Sequence, residues 1–178
     1  MDKATFDTRL AYRRNLPHFQ SPGAWYHVVF SLVPGLRLPP ECCAIVLEAC
    51  RKWDSSRWNL AACAAMPTLG THVLCKPAKA PDGGYFRLSH ILHDVKGASA
   101  WQINKVLGRR EPVWEHESFD RELRNERDFW TVAKYVADNP VKEHLAASPQ
   151  EYPYLYMSSD LCFGLVGAWL RGTGALPG

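Results

Sequence analysis

The chain has 178 residues, 47% of them hydrophobic and 22% charged, which suffices for one domain with its own core and is an ordinary globular balance. A formal net charge of +3 is mildly basic and compatible with a nucleic-acid partner without requiring one. No apolar run approaches the roughly 20 residues of a membrane span, the six cysteines form no CxxC pair, and neither a GxGxxG nor a P-loop signature is present. These features point away from membrane insertion, a CxxC redox or zinc motif and a nucleotide cofactor; with no secretory signal evident ahead of the cysteines, reduced thiols and a cytoplasmic protein are expected.

Residues 1–22 are polar and basic, carry Arg9, Arg13 and Arg14, and read as an N-terminal arm. Gly23 to Leu32 is rich in aromatic and β-branched residues and reads as a strand closed by Pro34 and Gly35. Pro39 and Pro40 stand where a helix would begin, and Ala44, Ile45, Val46, Leu47 and Trp53 give a helix to about Trp53 its apolar face. Trp58 to Met66 and Thr71 to Lys76 read as strands joined through the turn Pro67–Gly70, a hairpin. Residues 77–87 are a loop by their Pro and Gly content.

Leu88, Ile91, Leu92 and Val95, then Ile103, Val106 and Leu107 after a break at Gly97, recur at helical spacing, with Gly108 as the stop. Val113 to Leu123 reads as a strand. Asn125, with Asp128 three residues on, resembles an N-cap for a helix expected to end near Asn139, because Pro140 follows. Residues 159–178 read as a C-terminal tail or helix. Strand, helix, hairpin, helix, strand, helix is the order of an α+β fold, a small antiparallel sheet with packed helices.

Five segments occur in an order that carries a resemblance: YRRNLPHFQ with GAWYHVVFSL, MPTLGTHVLCKP, LSHILHDVKGASAWQINKVLG, PVWEHESFDRELRNERDFW, and KYVADNPVKEHL with EYPYLYMSS. Together they cover roughly residues 12–158 and resemble the REP-associated and insertion-sequence single-tyrosine transposases of the HUH nuclease superfamily. The resemblance implies a ferredoxin-like palm over residues 23–158. It also implies single-stranded or hairpin DNA as partner, a tyrosine that becomes covalently linked to a DNA phosphate, and Mg²⁺ or Mn²⁺ held by a His-hydrophobic-His strand. A monomer and a homodimer are both compatible with it.

Carried over residue by residue, Tyr135 takes the nucleophile position, in the pattern tyrosine, three residues, Asn-Pro. Its phenol has a free pKa near 10 and needs a base or a cation to act. Asn139, four residues on and on the same helix face, is the candidate oxygen ligand. His72 matches the second histidine of the metal pair. The first is absent: two residues back stands Gly70, and counting from Met66-Pro67 gives Leu69.

His90 and His93, three residues apart on one helix, and His116 or Glu117 on the following strand are candidate substitutes. Arg13, Arg14, Lys76, Lys96, Lys105, Arg109 and Arg110 are candidates for phosphate contacts, and Trp25, Tyr85, Phe86 and Trp114 for stacking on unpaired bases. Two readings follow. In one the protein cleaves and rejoins DNA by metal-assisted transesterification through Tyr135. In the other it is a decayed relative that binds hairpin or single-stranded DNA without cutting it.

Overall fold

The computed structural model describes residues 10–13 and 17–161. A five-stranded antiparallel sheet runs in the order β6-β3-β5-β4-β7. Its strands are β3 (Tyr26–Leu32), β4 (Trp58–Met66), β5 (Gly70–Pro77), β6 (Trp114–Glu122) and β7 (Leu155–Met157). Two helices, α1 (Pro40–Arg51) and α2 (Leu88–Leu107), cover one face, and α3 (Glu126–Lys142) covers part of the other. The fold is α+β, as the alternation of periods implies.

The two faces are written into β3. Tyr26, Val28, Phe30 and Leu32 are buried in the larger core with Cys42, Val46 and Cys50 of α1 and Ile91, Val95 and Ile103 of α2. Strand alternation therefore turns His27 and Val29 to the opposite face. There β4, one strand beyond β5, supplies Ala61, Ala62 and Ala64, side chains small enough for Ala133, Val136 and Ala137 of α3 to pack close. The five described cysteines, Cys42, Cys43, Cys50, Cys63 and Cys75, are free and buried, and serve as small apolar residues.

Several local features differ from the sequence expectation. Leu10–Arg13 and Pro17–Gln20 (β1 and β2) form an antiparallel pair within what reads as an arm. Gln20 then ties this segment to the body: its side-chain amide donates to the Phe86 carbonyl and its oxygen accepts from Leu88 N–H at the start of α2. Helix α2 runs unbroken through Gly97. A glycine costs a helix only about 1 kcal/mol, and the buried stripe Leu88, Ile91, Leu92, Val95, Ile103 outweighs it.

Helix α3 continues past Pro140 to Lys142. Proline removes its own N–H, but the turn after it is still closed by Glu143 N–H to the Asn139 carbonyl and Leu145 N–H to the Pro140 carbonyl. The edge strand β7 has only three residues, too short to show a period. The expected C-terminal segment beyond Leu161 lies outside the described residues, as does Arg14.

Candidate active site on the sheet face beside helix α3

On β5 the residues facing α3 are Gly70, His72, Leu74 and Lys76, by alternation from Leu74 in the α3-side core. Gly70 cannot be the seat of a lost histidine on this backbone. Its φ is +96°, and a Cβ built there would stand 2.3 Å from the Phe30 carbonyl oxygen. The hairpin turn brings β5 so close to β3 that only hydrogen fits.

The second imidazole comes from the adjacent strand. In the β3–β5 register, Val29 lies opposite His72 and His27 opposite Leu74, so His27 and His72 are diagonal neighbours on one face. His27 Nε2 and His72 Nδ1 are 3.3 Å apart, and the rings are near-parallel at 22° with centroids 5.5 Å apart. Both are buried. Burial holds each pKa down to about 4; the Arg121 charge adds to the effect on His27, and His27 adds to that on His72. Both rings are therefore neutral near pH 7, each with one nitrogen lone pair.

Tyr135 closes the cluster from α3. Its ring centroid is 5.8 Å from that of His27 and 5.6 Å from that of His72, edge-on to each. It is 41% exposed, and the Lys142 ammonium lies 4.7 Å from its ring centroid. Beyond the cluster, α3 leaves the β3–β6 part of this face open. Phe119, opposite Val29 in the register, is 56% exposed, and Arg121, opposite His27, pairs with Asp128 at 3.1 Å.

Asn139 is buried, and its amide nitrogen has no hydrogen-bond partner. An unsatisfied buried amide N–H is costly and uncommon, but it is a hydrogen-bond donor, and only the side-chain oxygen could face a cation. Two neutral imidazoles with facing nitrogens 3.3 Å apart form a donor pair that fits a divalent cation, with the side-chain oxygen of Asn139, four residues on from Tyr135 in α3, as the candidate third ligand. Among the described residues no group of three His, Cys, Asp or Glu side chains converges to hold one, so the set would leave positions for water or phosphate oxygens. Imidazole nitrogens suit Mn²⁺ or Zn²⁺ better than Mg²⁺, which prefers oxygen.

The remaining predicted residues divide between the two faces. Lys76 belongs to the site side, its ammonium 5.1 Å from the Trp25 ring centroid. Trp25 packs edge-on against Phe129 at 4.9 Å, and with Trp130 and Arg124 lines a cavity of about 420 Å³ at the start of α3. Lys96 donates to the carbonyls of Glu115 and His116 and to Ser118 Oγ. Arg109 pairs with Glu111 at 3.0 Å and donates to the Pro112 carbonyl. Arg110 is exposed and lines a recess with Trp101, Asn104, Lys105 and Arg109 at the end of α2, on the other layer.

Of Arg13 only the strand position in β1 is described. Trp114 is buried, edge-on to Phe30 and donating to Ser99 Oγ, so it is a core residue. His90 and His93 stand exposed on α2, and His116 pairs with Glu117 on the sheet edge, away from the cluster. Sequence reasoning missed His27. Its only sequence signal is that it breaks the apolar run of a strand, and the register that aims it at His72 is a tertiary fact.

No protein-family model matches the sequence, and no curated protein matches it. Among solved structures, the fold is similar to that of a REP-associated tyrosine transposase bound to a REP hairpin. The TM-score is 0.61, with 18% identity, covering 93% of this chain and 87% of that one. At 18% identity the likeness is one of fold: the same α+β plan around an antiparallel sheet. Among the described residues no helix is long and apolar enough to cross a membrane.

Proposed function

We propose that the protein binds hairpin or single-stranded DNA and cleaves and rejoins it by transesterification through Tyr135. The observation that carries this reading is the convergence of a half-exposed tyrosine with two neutral imidazoles on an open sheet face. The fold likeness to a hairpin-bound transposase supports DNA as the partner class. In this reading the phenolic oxygen attacks a backbone phosphorus, its proton leaves to a neighbouring base, and the departing sugar oxygen is protonated as the phosphotyrosine bond forms. The link retains the energy of the broken ester, so a second hydroxyl can reverse the step without a nucleotide cofactor.

His72 and Asn139 are the residues proposed to hold Mg²⁺ or Mn²⁺, which when bound supplies Lewis-acid polarisation of the phosphate. Lys76 and Arg124 flank the aromatic cavity of Trp25, Phe129 and Trp130 and would take phosphates while a base stacks inside.

Gly70 favours a second reading. A strand that cannot carry the expected histidine is what a decayed, purely DNA-gripping relative would show.

A denaturing gel separates the two readings. Hairpins carrying randomised single-stranded flanks are incubated with the protein and Mn²⁺ or Mg²⁺. A covalent protein–DNA band that disappears in Tyr135→Phe supports cleavage. Salt-sensitive binding with no band under either metal supports the gripping reading.

A further inference from the structure

The site contains a second imidazole that does not come from the strand where a His-hydrophobic-His motif would place it. We infer that His27 of β3 and His72 of β5 form a cross-strand metal site, His27 taking the place of the ligand that Gly70 excludes. This inference rests on the proposed function for its purpose, but not for its test.

Three observations carry it. Gly70 is sterically barred from bearing a side chain, and Leu74, the other same-face neighbour of His72, is apolar. His27 sits directly across the ladder from Leu74, so an imidazole enters the same face from the next strand. Finally, His27 Nε2 and His72 Nδ1 are 3.3 Å apart. Two nitrogens bound to one cation at about 2.0–2.1 Å in neighbouring positions stand about 3–3.4 Å from each other. The pair therefore needs ring rotation, not strand movement, to chelate.

In the metal-free pair one of the two facing nitrogens carries the shared hydrogen. Binding moves that hydrogen to the other nitrogen of the same ring. Each imidazole then keeps one N–H and offers one lone pair, and the proton count is unchanged. The remaining positions would stay open to water and to a phosphate oxygen, as a catalytic rather than a structural site requires. With nitrogen donors in the majority, Mn²⁺ and Zn²⁺ are preferred over Mg²⁺.

The test uses the full chain without DNA. Zn²⁺ is titrated into the ¹⁵N-labelled wild-type protein while the ring nitrogens of its seven histidines are followed by long-range nitrogen–proton NMR. The inference expects His27 and His72 resonances to move together at one equivalent, with His90, His93 and His116 unmoved. Movement of His72 alone, of the exposed histidines instead, or of none overturns it.

In parallel, Mn²⁺ affinity is measured by the loss of its free-ion electron paramagnetic resonance signal. His27→Gln is expected to weaken it by more than about tenfold, and Tyr135→Phe to leave it within about twofold. Affinity unchanged in His27→Gln overturns the inference. A Tyr135-dependent covalent band without metal binding at this pair would sink the inference and spare the proposed function. Metal bound by the pair with no such band would do the reverse.

Discussion

At the scale of single residues, the site turns on which side chains the sheet brings to one spot. That Tyr135 and Asn139 share a face of α3 is legible in the sequence because a helix fixes their four-residue spacing. His72 is legible because a strand fixes its face. His27 is not, because forty-five positions separate it from its partner and only the β3–β5 register makes them neighbours. Gly70 likewise looks like an ordinary turn glycine until the Phe30 carbonyl is placed beside it. Substituting it therefore has a sharp consequence: Gly70→Ala is expected to cost about 2 kcal/mol or more in urea unfolding, through forced φ strain and the backbone clash. Gly83→Ala, also at positive φ but with no neighbour within 4 Å, is expected to cost only about 1 kcal/mol. Equal losses at the two positions would contradict the steric reading of Gly70.

At the scale of elements, α3 is the part that matters, since it delivers the tyrosine to the histidines. Its start is secured by the Asn125 side chain accepting from Asp128 N–H at 2.9 Å. Asn125→Ala is expected to cost about 1 kcal/mol in thermal or denaturant unfolding. Its seat depends on the alanines of β4. Ala64→Leu would put a branched side chain where Ala64 is fully buried next to His72 in the register. A loss of about 1–3 kcal/mol is expected, together with reduced covalent capture of DNA as the tyrosine is pushed off the sheet; unchanged stability and capture would show that α3 does not rest there. The end of α3 shows the limit of local rules. Pro140 signals a stop at Asn139, yet the helix carries on for three residues to Lys142, because burial of Val136, Ala137, Asn139 and Pro140 outweighs one missing hydrogen bond.

At the scale of the whole molecule, the α+β class and the strand–helix order are readable because buried strands and amphipathic helices have different periods. What periodicity cannot give is the division of labour between faces. Among the described residues, one face is closed by α1 and α2, and the other is covered by α3 over only part of its width. The candidate phosphate contacts fall on both sides. If the DNA strand crosses the open face, Lys76→Gln and Arg124→Gln should each weaken binding and lower the salt-dependence slope by about 1. Arg110→Gln, on the α2 layer, should instead affect only substrates with a duplex stem. Filter binding of matched hairpin and unstructured strands across a salt series distinguishes these. Equal effects of all three variants on both substrates would mean that the two patches act as one.

The most direct test of the central claim is to find where DNA becomes attached. Protein incubated with hairpin DNA and Mn²⁺ is digested with nuclease and trypsin, and the peptides are examined by mass spectrometry. Trypsin cuts after Lys134 and Lys142, so Tyr135 falls on its own short peptide, YVADNPVK. A nucleotide mass on that peptide, fragmenting at the tyrosine and absent from Tyr135→Phe, is the predicted result. A nucleotide on any other residue, or an unmodified peptide from protein that holds the hairpin tightly, would contradict it.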